Sequence, residues 1–198
     1  MEPKTFIFIG RSGCGKGTQV DLLIKYLKER SPNPVFYMES GEKFREFVSQ
    51  SSHTADLAKK IMEAGGLQPA FLAIHIWSHL FIEQMLPDKH LIIDGTPRKL
   101  DEAKILDEAL GFYGRNNVFV VYMNVGRKWA TDRLTGRGRA DDIKAEDIEK
   151  RLNWFDTDVM PAVEHLKASP RFRFLDINGE QTIEEVHNEI MAKIGFKS

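Results

Sequence analysis

The stretch Gly10-Arg11-Ser12-Gly13-Cys14-Gly15-Lys16-Gly17-Thr18 constrains this chain more than any other. An apolar run, Phe6-Ile7-Phe8-Ile9, precedes it, and a helical pattern at Val20, Leu22-Leu23-Ile24 and Leu27 follows. Strand, glycine-rich turn and helix are the context that a phosphate-binding loop requires. The glycines let the backbone curl so that successive N–H groups converge on an anion. They do so at a helix N-terminus, whose dipole favours negative charge. Lys16 adds a mobile positive charge for the outer phosphates, and the Thr18 hydroxyl is placed to hydrogen-bond them. The general pattern has Ser or Thr directly after the lysine, whereas here Gly17 stands there and Thr18 comes one later. A glycine turn without a ligand is the alternative, and the flanking strand and helix weigh against it.

Apolar runs recur at Phe6–Ile9, Val35–Met38, Leu91–Ile93, Val118–Met123 and Phe172–Ile177, with helix-period stretches between them. That alternation predicts an α/β fold with a doubly wound parallel sheet and helices on both faces. Leu91-Ile92-Ile93 and Val118-Phe119-Val120-Val121 read as strands buried on both faces. Ser31-Pro32-Asn33-Pro34 separates the first helix from the second strand. Residues 40–70 hold two helical patterns, near Glu42–Val48 and Thr54–Glu63, then Gly65-Gly66 and Pro69; a further helix spans roughly Ala70–Met85. So long an excursion reads as a small helical insertion at the carboxyl edge of the sheet. Ile183, Val186, Ile190 and Ile194 mark a final amphipathic helix that packs on the sheet.

Composition narrows the functional classes. At 198 residues the chain fits one domain with a full core. A net charge of -1 gives no polybasic footprint, so neither nucleic acid nor an anionic membrane is an expected partner. Phe6–Ile9 is too short for a signal peptide, and no apolar run approaches a membrane span. Cys14, the single cysteine, excludes an intrachain disulfide and a multi-cysteine zinc site, and it suits a cytoplasmic location. His75 and His79 are four apart with Glu83 beyond, but Ile76 stands where a zinc-binding HExxH helix has its glutamate, so packing or surface roles are expected. Trp77, Trp129 and Trp154 read as core or helix-packing residues.

Two more segments carry chemistry. In Leu91-Ile92-Ile93-Asp94-Gly95-Thr96-Pro97-Arg98, an acid ends a buried strand, where it can reach a magnesium ion or its waters. Arg98 then projects a planar fork suited to phosphate. Further on, Arg133-Leu134-Thr135-Gly136-Arg137-Gly138-Arg139-Ala140-Asp141-Asp142 is followed by Arg151. Arg133 and Arg137 share a helix face if the helix continues. Phosphoryl transfer needs charge neutralised on three migrating oxygens, and converging arginines held by Asp141 and Asp142 supply it. A solvated charged segment is the alternative for that run taken alone.

Gly10–Gln19, Asp94–Arg98 and Gly136–Asp142, in that order and spacing, resemble adenylate kinase and its UMP/CMP-kinase relatives over nearly the whole chain. The resemblance implies a P-loop NTPase fold: a five-stranded parallel sheet flanked by helices, with a nucleoside-monophosphate-binding insertion at 40–70 and a very short lid at 136–142. Residues 1–39, 71–135 and 143–198 then form the core. It implies that Gly13, Cys14, Gly15, Lys16, Gly17 and Thr18 hold ATP phosphates, and that Arg133 stacks on the ATP adenine. Ser40 and Arg45 would surround the monophosphate. Leu67, Gln68 and the backbone of Gly95 would meet its base, and Arg98 would grip its phosphate. Arg137, Arg139 and Arg151 would clamp the transferring group. Magnesium, arriving with ATP, would be held through waters near Asp94, Asp141 and Asp142. The implied function is reversible transfer from ATP to a nucleoside monophosphate, AMP by default, in a cytoplasmic monomer.

Departures from the family pattern bear on the acceptor. Ser12 replaces a proline, Thr96 an aromatic, and Glu42 and Ala70 replace aspartates. Most consequential is Glu102, eight residues after Asp94, where the family has a base-reading glutamine. An ionised carboxylate opposes adenine N1 with a second acceptor, but can accept from both donors on the guanine edge. Alternatively Glu102 swings toward Lys99 and leaves the base to the backbone. Other readings are a different acceptor base (GMP, UMP or CMP), another small-metabolite kinase on the same loop, or a catalytically silent nucleotide-binding module.

Overall fold

A computed structural model describes residues 1–137 and 145–196, with Arg137 described by its backbone. Each apolar run forms a strand: β1 (Thr5–Gly10), β2 (Val35–Glu39), β3 (His90–Asp94), β4 (Val118–Asn124) and β5 (Phe172–Asn178). All pair in parallel, in the order β2-β3-β1-β4-β5. The inner strands carry continuous apolar runs, with polar residues at their ends, and β3 is buried along its length, whereas the edge strand β5 alternates between buried and exposed residues. Parallel strands covered on both faces need that continuous apolar run, and an edge strand does not.

Helices cover both faces. Among the described residues they are α1 (Lys16–Arg30), α2 (Ser40–Val48), α3 (His53–Glu63), α4 (Ala70–Gln84), α5 (Leu100–Phe112), α6 (Arg127–Arg137), α7 (Ala145–Trp154), α8 (Met160–Ala168) and α9 (Ile183–Ile194). A π-helical segment, Phe155–Val159, joins α7 to α8. One core layer buries Phe6, Phe8 and Val121 against Val20, Leu23 and Leu27 of α1 and Val186 and Ile190 of α9. The other buries Ile7, Ile93 and Val120 against Trp77 and Phe81 of α4, Leu106 and Leu110 of α5, and Val163 and Leu166 of α8. Alternate residues of one strand thus feed opposite layers, which is the period-two geometry of a pleated sheet.

The insertion at 40–70 contributes to a third, smaller core in which Phe44 of α2 and Ala58 of α3 pack with Leu72 and Ala73 of α4. Ser52 caps α3 by accepting the Ala55 N–H. At the far end of the chain Thr182 and Glu185 form a capping box that starts α9.

β1 is the pivot of this arrangement. It has β3 on one side and β4 on the other, so the crevice beyond its carboxyl end is a topological switch point, where open α/β sheets bind ligands. α1 is the helix that receives the loop from β1, and fully buried Leu23 seats it on the sheet. Leu23→Ala should cost about 2–5 kcal/mol of folding stability, read as a lowered urea midpoint at unchanged m-value. A loss below about 1 kcal/mol would contradict this packing.

Candidate active site

The loop between β1 and α1 is built around backbone conformations that glycine supplies. Gly13 has φ +84 and packs so closely that an added Cβ would lie 2.8 Å from the Ala130 carbonyl. Gly15, at φ 92, caps α1 with no side chain, which leaves the first-turn amides of the helix directed at the cleft. The Lys16 ammonium arches back over the loop and donates to the Gly10 carbonyl at 2.8 Å and the Arg11 carbonyl at 3.3 Å. The Cys14 amide donates to the Arg11 carbonyl at 3.2 Å, and its side chain is buried in the core beneath the loop.

Parallel pairing sets Phe8 of β1 opposite Asp94 of β3, so the second motif emerges beside the first. Asp94 is buried, and burial raises its pKa, with the Lys16 charge pulling the other way. Gly95, at φ +77, is hemmed in, since a Cβ there would meet the Ser40 hydroxyl at 2.8 Å and the Arg98 guanidinium at 3.2 Å. Around that glycine the Ser40 hydroxyl and Arg98 Nε both donate to the Gly95 carbonyl, at 2.8 and 2.7 Å. Arg98 Nη2 also approaches the Ser40 hydroxyl at 3.3 Å. The fork of Arg98 is therefore fixed by the turn that precedes it, and it lies 5.8 Å over the Trp154 ring. Burial lowers the Arg98 pKa; Glu102 opposes that effect and Arg151 adds to it.

One cleft of about 1390 Å³ joins these groups. Gly13, Gly15, Lys16, Gly17 and Thr18 line it on the loop side, with Asp94, Gly95 and Arg98 at the sheet. Arg45 and Gln68 line it from the insertion, and Arg133 and Arg151 from α6 and α7. Arg45 is exposed and pairs with Glu39 at 3.1 Å. Ser40, Leu67 and Glu102 lie instead around a small adjoining cavity. The side chain of Arg137, together with Arg139, Asp141 and Asp142, lies outside the described residues.

Several residues at the site were not expected there. Trp129 carries Arg133 stacked at 4.9 Å over its ring. Trp154 lines the cleft and donates its indole N–H to the Gly65 carbonyl at 3.3 Å. Arg11 ties the loop to a distant segment through the Val125 carbonyl at 2.8 Å and Asp156 at 2.5 Å. Glu102 does not swing out to Lys99: it turns inward and accepts the Arg98 N–H at 3.3 Å. Trp77 is a core residue, as expected.

A glycine-rich anion loop at the switch point of a parallel sheet, facing a buried acid and converging arginines across one cleft, defines a P-loop phosphotransferase. Comparison with known proteins narrows the class. The sequence model of the family described as adenylate kinase matches residues 8–170. An adenylate kinase from Leptospira biflexa is 34% identical over 96% of this chain and 100% of its own length. Adenylate kinase 1 from Nostoc sp. is 31% identical over 96% of this chain and 97% of its own. This chain belongs to the adenylate kinase family, and it is a nucleoside-monophosphate kinase, a phosphotransferase whose acceptor is itself a phosphate group.

The buried acid has a cost that stability can report. A pKa raised by burial means that folding disfavours the ionised form, so the penalty is absent below the unfolded aspartate pKa and grows as pH rises through the folded one. Asp94→Asn should therefore raise the urea midpoint at neutral pH, with the gain closing as pH falls below about 4. A loss of stability of equal size at every pH would contradict that assignment.

Proposed function

We propose that this kinase passes the terminal phosphoryl group of ATP to AMP, reversibly, within the cleft that runs from Lys16 to Arg98. The observation that carries this reading is the joining, in one cavity, of an anion loop and a second, separately fixed arginine site. Two phosphate sites facing each other are what transfer between two nucleotides requires. Gly13, Gly15, Gly17 and Thr18 hold the donor phosphates with loop amides and a hydroxyl, and the first turn of α1 adds its dipole. Lys16 leaves its loop carbonyls for the outer phosphates, and Arg133 covers the donor base. Arg98 and Arg45 hold the acceptor phosphate. Arg151, with Arg137 and Arg139, neutralises the charge that spreads over the transferring group. A phosphate oxygen is already ionised at neutral pH, so no general base is needed.

The donor set fits magnesium carried in by ATP. Asp94 is a single hard oxygen ligand on the cleft floor, and among the described residues no three His, Cys, Asp or Glu side chains gather as a metal cage. Magnesium keeps several waters and is commonly held by one or two carboxylates plus substrate phosphates. Asp94 would orient those waters, with Asp141 and Asp142 in the same part. Bound, the ion would neutralise phosphate charge.

The insertion at 40–70 and the lid at 136–142 are proposed to close over the acceptor and donor, excluding water. The small core that α2 and α3 share with the start of α4, apart from the two sheet layers, supports the first of these movements. Closure is what protects a phosphoryl group from hydrolysis. A monomer in the cytoplasm completes the reading; among the described residues no helix is long and apolar enough to cross a membrane.

Lys16→Met tests the assignment of the loop. Loss of one preorganised charge at the transition state should lower kcat about 100-fold or more in a coupled assay of ATP with AMP, in a protein that still unfolds cooperatively in urea. Turnover near that of the parent would overturn it. A parent enzyme inert toward AMP, GMP, CMP and UMP alike would favour the silent-module reading.

A further inference from the structure

Outside the cleft, one carboxylate holds two arginines. Asp156, in the π-helical segment, accepts from Arg11 Nη2 at 2.5 Å through one oxygen and from Arg127 Nη1 at 2.6 Å through the other. Arg127 extends the tie, since its Nη2 donates to Glu149 at 2.5 Å and to Asn153 at 2.8 Å, both on α7. Arg11 donates Nη1 to the Val125 carbonyl at 2.8 Å, and its guanidinium lies 4.7 Å over the Phe155 ring. Arg11, Arg127, Glu149, Asn153 and Asp156 do not line the cleft, so the cluster reaches a bound nucleotide only through other residues. Its two cations and two carboxylates also cancel, so what it contributes is placement and not charge.

The placement concerns the donor side. Arg11 is itself a loop residue, and its carbonyl accepts from the Cys14 amide at 3.2 Å and from the Lys16 ammonium at 3.3 Å. When Lys16 leaves that carbonyl for a phosphate, the Cys14 amide and the anchored Arg11 side chain remain to hold the turn. Arg127 opens α6, which carries Arg133, and Asp156 follows Arg151 of α7 by five residues. One carboxylate thus fastens together the loop, the helix of Arg133 and the helix of Arg151. Buried Phe155 seats the same segment in the core, and π-helical turns of this kind are often found at functional sites. Burial alone would raise the Asp156 pKa; the hydrogen bonds from Arg11 and Arg127 outweigh it and hold the group below the ordinary aspartate range. The acceptor arginines rest on other supports, Arg98 on the Gly95 carbonyl and Arg45 on Glu39.

Resting on the reading that ATP occupies the loop, we propose that Asp156 is a positioning residue for the donor nucleotide. Through Arg11 it keeps the loop amides in the form that the ATP phosphates need. Through Arg127 it sets α6 and α7 so that Arg133 and Arg151 face that loop. A site already in its bound shape does not have to be ordered by its ligand, so the effect shows in affinity. AMP, held by Arg98 and Arg45, does not draw on it.

The test titrates ATP and AMP separately, each with magnesium, by calorimetry into the parent and its variants. Asp156→Asn keeps the side-chain shape, but its NH2 faces one of the two guanidiniums and that connection is lost. Arg11→Met removes the loop end of the tie. Either variant should bind ATP about tenfold more weakly and AMP within about twofold of the parent. The double variant should bind ATP no more weakly than the weaker single, because both substitutions break one connection. Arg11→Lys keeps the charge without the fork that spans Val125 and Asp156, so it should fall between the parent and Arg11→Met. It also decides the matter if Arg11→Met fails to fold. Unchanged ATP affinity with only a lowered urea midpoint would reduce the cluster to a stabilising one and overturn the proposal. Equal weakening of ATP and AMP, or losses that add in the double variant, overturns it as well. Each of these results leaves the kinase reading intact, whereas a parent that binds no ATP overturns both.

Discussion

The site depends on the pairing of β1 with β3. Their register sets Phe8 against Asp94, and the Gly95 amide continues the ladder to the Phe8 carbonyl at 3.3 Å. From that line the chain runs two residues on to the anion loop on one strand and four residues on to Arg98 on the other. Neither motif makes a phosphate-transfer site alone. A one-residue slip would turn the side chains of one strand to the opposite faces, so the fit of particular side chains into the two core layers holds the register. The packing of the central strands is thus what fixes the distance between donor and acceptor chemistry.

Charge placement matters more here than charge content. Two unit charges 4 Å apart interact by about 1 kcal/mol in bulk water and by about 4 kcal/mol at the effective dielectric of a protein cleft. Exposed pairs such as Lys43–Glu46 fall at the low end and contribute little. Lys16, Asp94, Arg98 and Arg151 line one cavity that also carries Asp21, Glu39, Glu42, Glu63, Asp132 and Asp147, so the cations meet phosphate by where they stand and not by any surplus of positive charge. A chain of net charge -1 achieves this by local design alone. The same low dielectric explains why burial dominates the ionisation of Asp94, Arg98 and Glu102.

What was legible in the sequence was whatever local pattern encodes. Continuous apolar runs gave all five strands to within a residue or two, and the glycine loop and the Asp94–Arg98 turn could be read because each is contiguous. The rest arises from contacts between distant segments. Trp154 meets Gly65 across 89 residues and Arg11 meets Asp156 across 145, and no periodicity announces such partners. Trp129 and Trp154 read as core or helix-packing residues and both pack against the core, but the further contacts they make with Arg133 and Gly65 have no local signature. The inward turn of Glu102 was hidden for a similar reason. Lys99 three residues earlier offered it a local partner, whereas the cavity it enters is walled by α2, α4 and the insertion. The Cys14 amide closes the loop onto the Arg11 carbonyl, a turn contact that the motif's sequence does not specify. Gln68 could be placed near the base by resemblance, but the orphan oxygen on its side chain emerges only once Ala58 is seen to take the amide nitrogen.

The central claim is that two nucleotides meet phosphate to phosphate across one cleft. Calorimetric titration with two adenosines joined by five phosphates measures it most directly, because that molecule spans both sites and avoids the cost of a second association. The account predicts one molecule bound per chain, at least about 100-fold more tightly than ATP or AMP alone, with loss of that advantage in Lys16→Met. Affinity no better than that of ATP, or two molecules bound per chain, would contradict it.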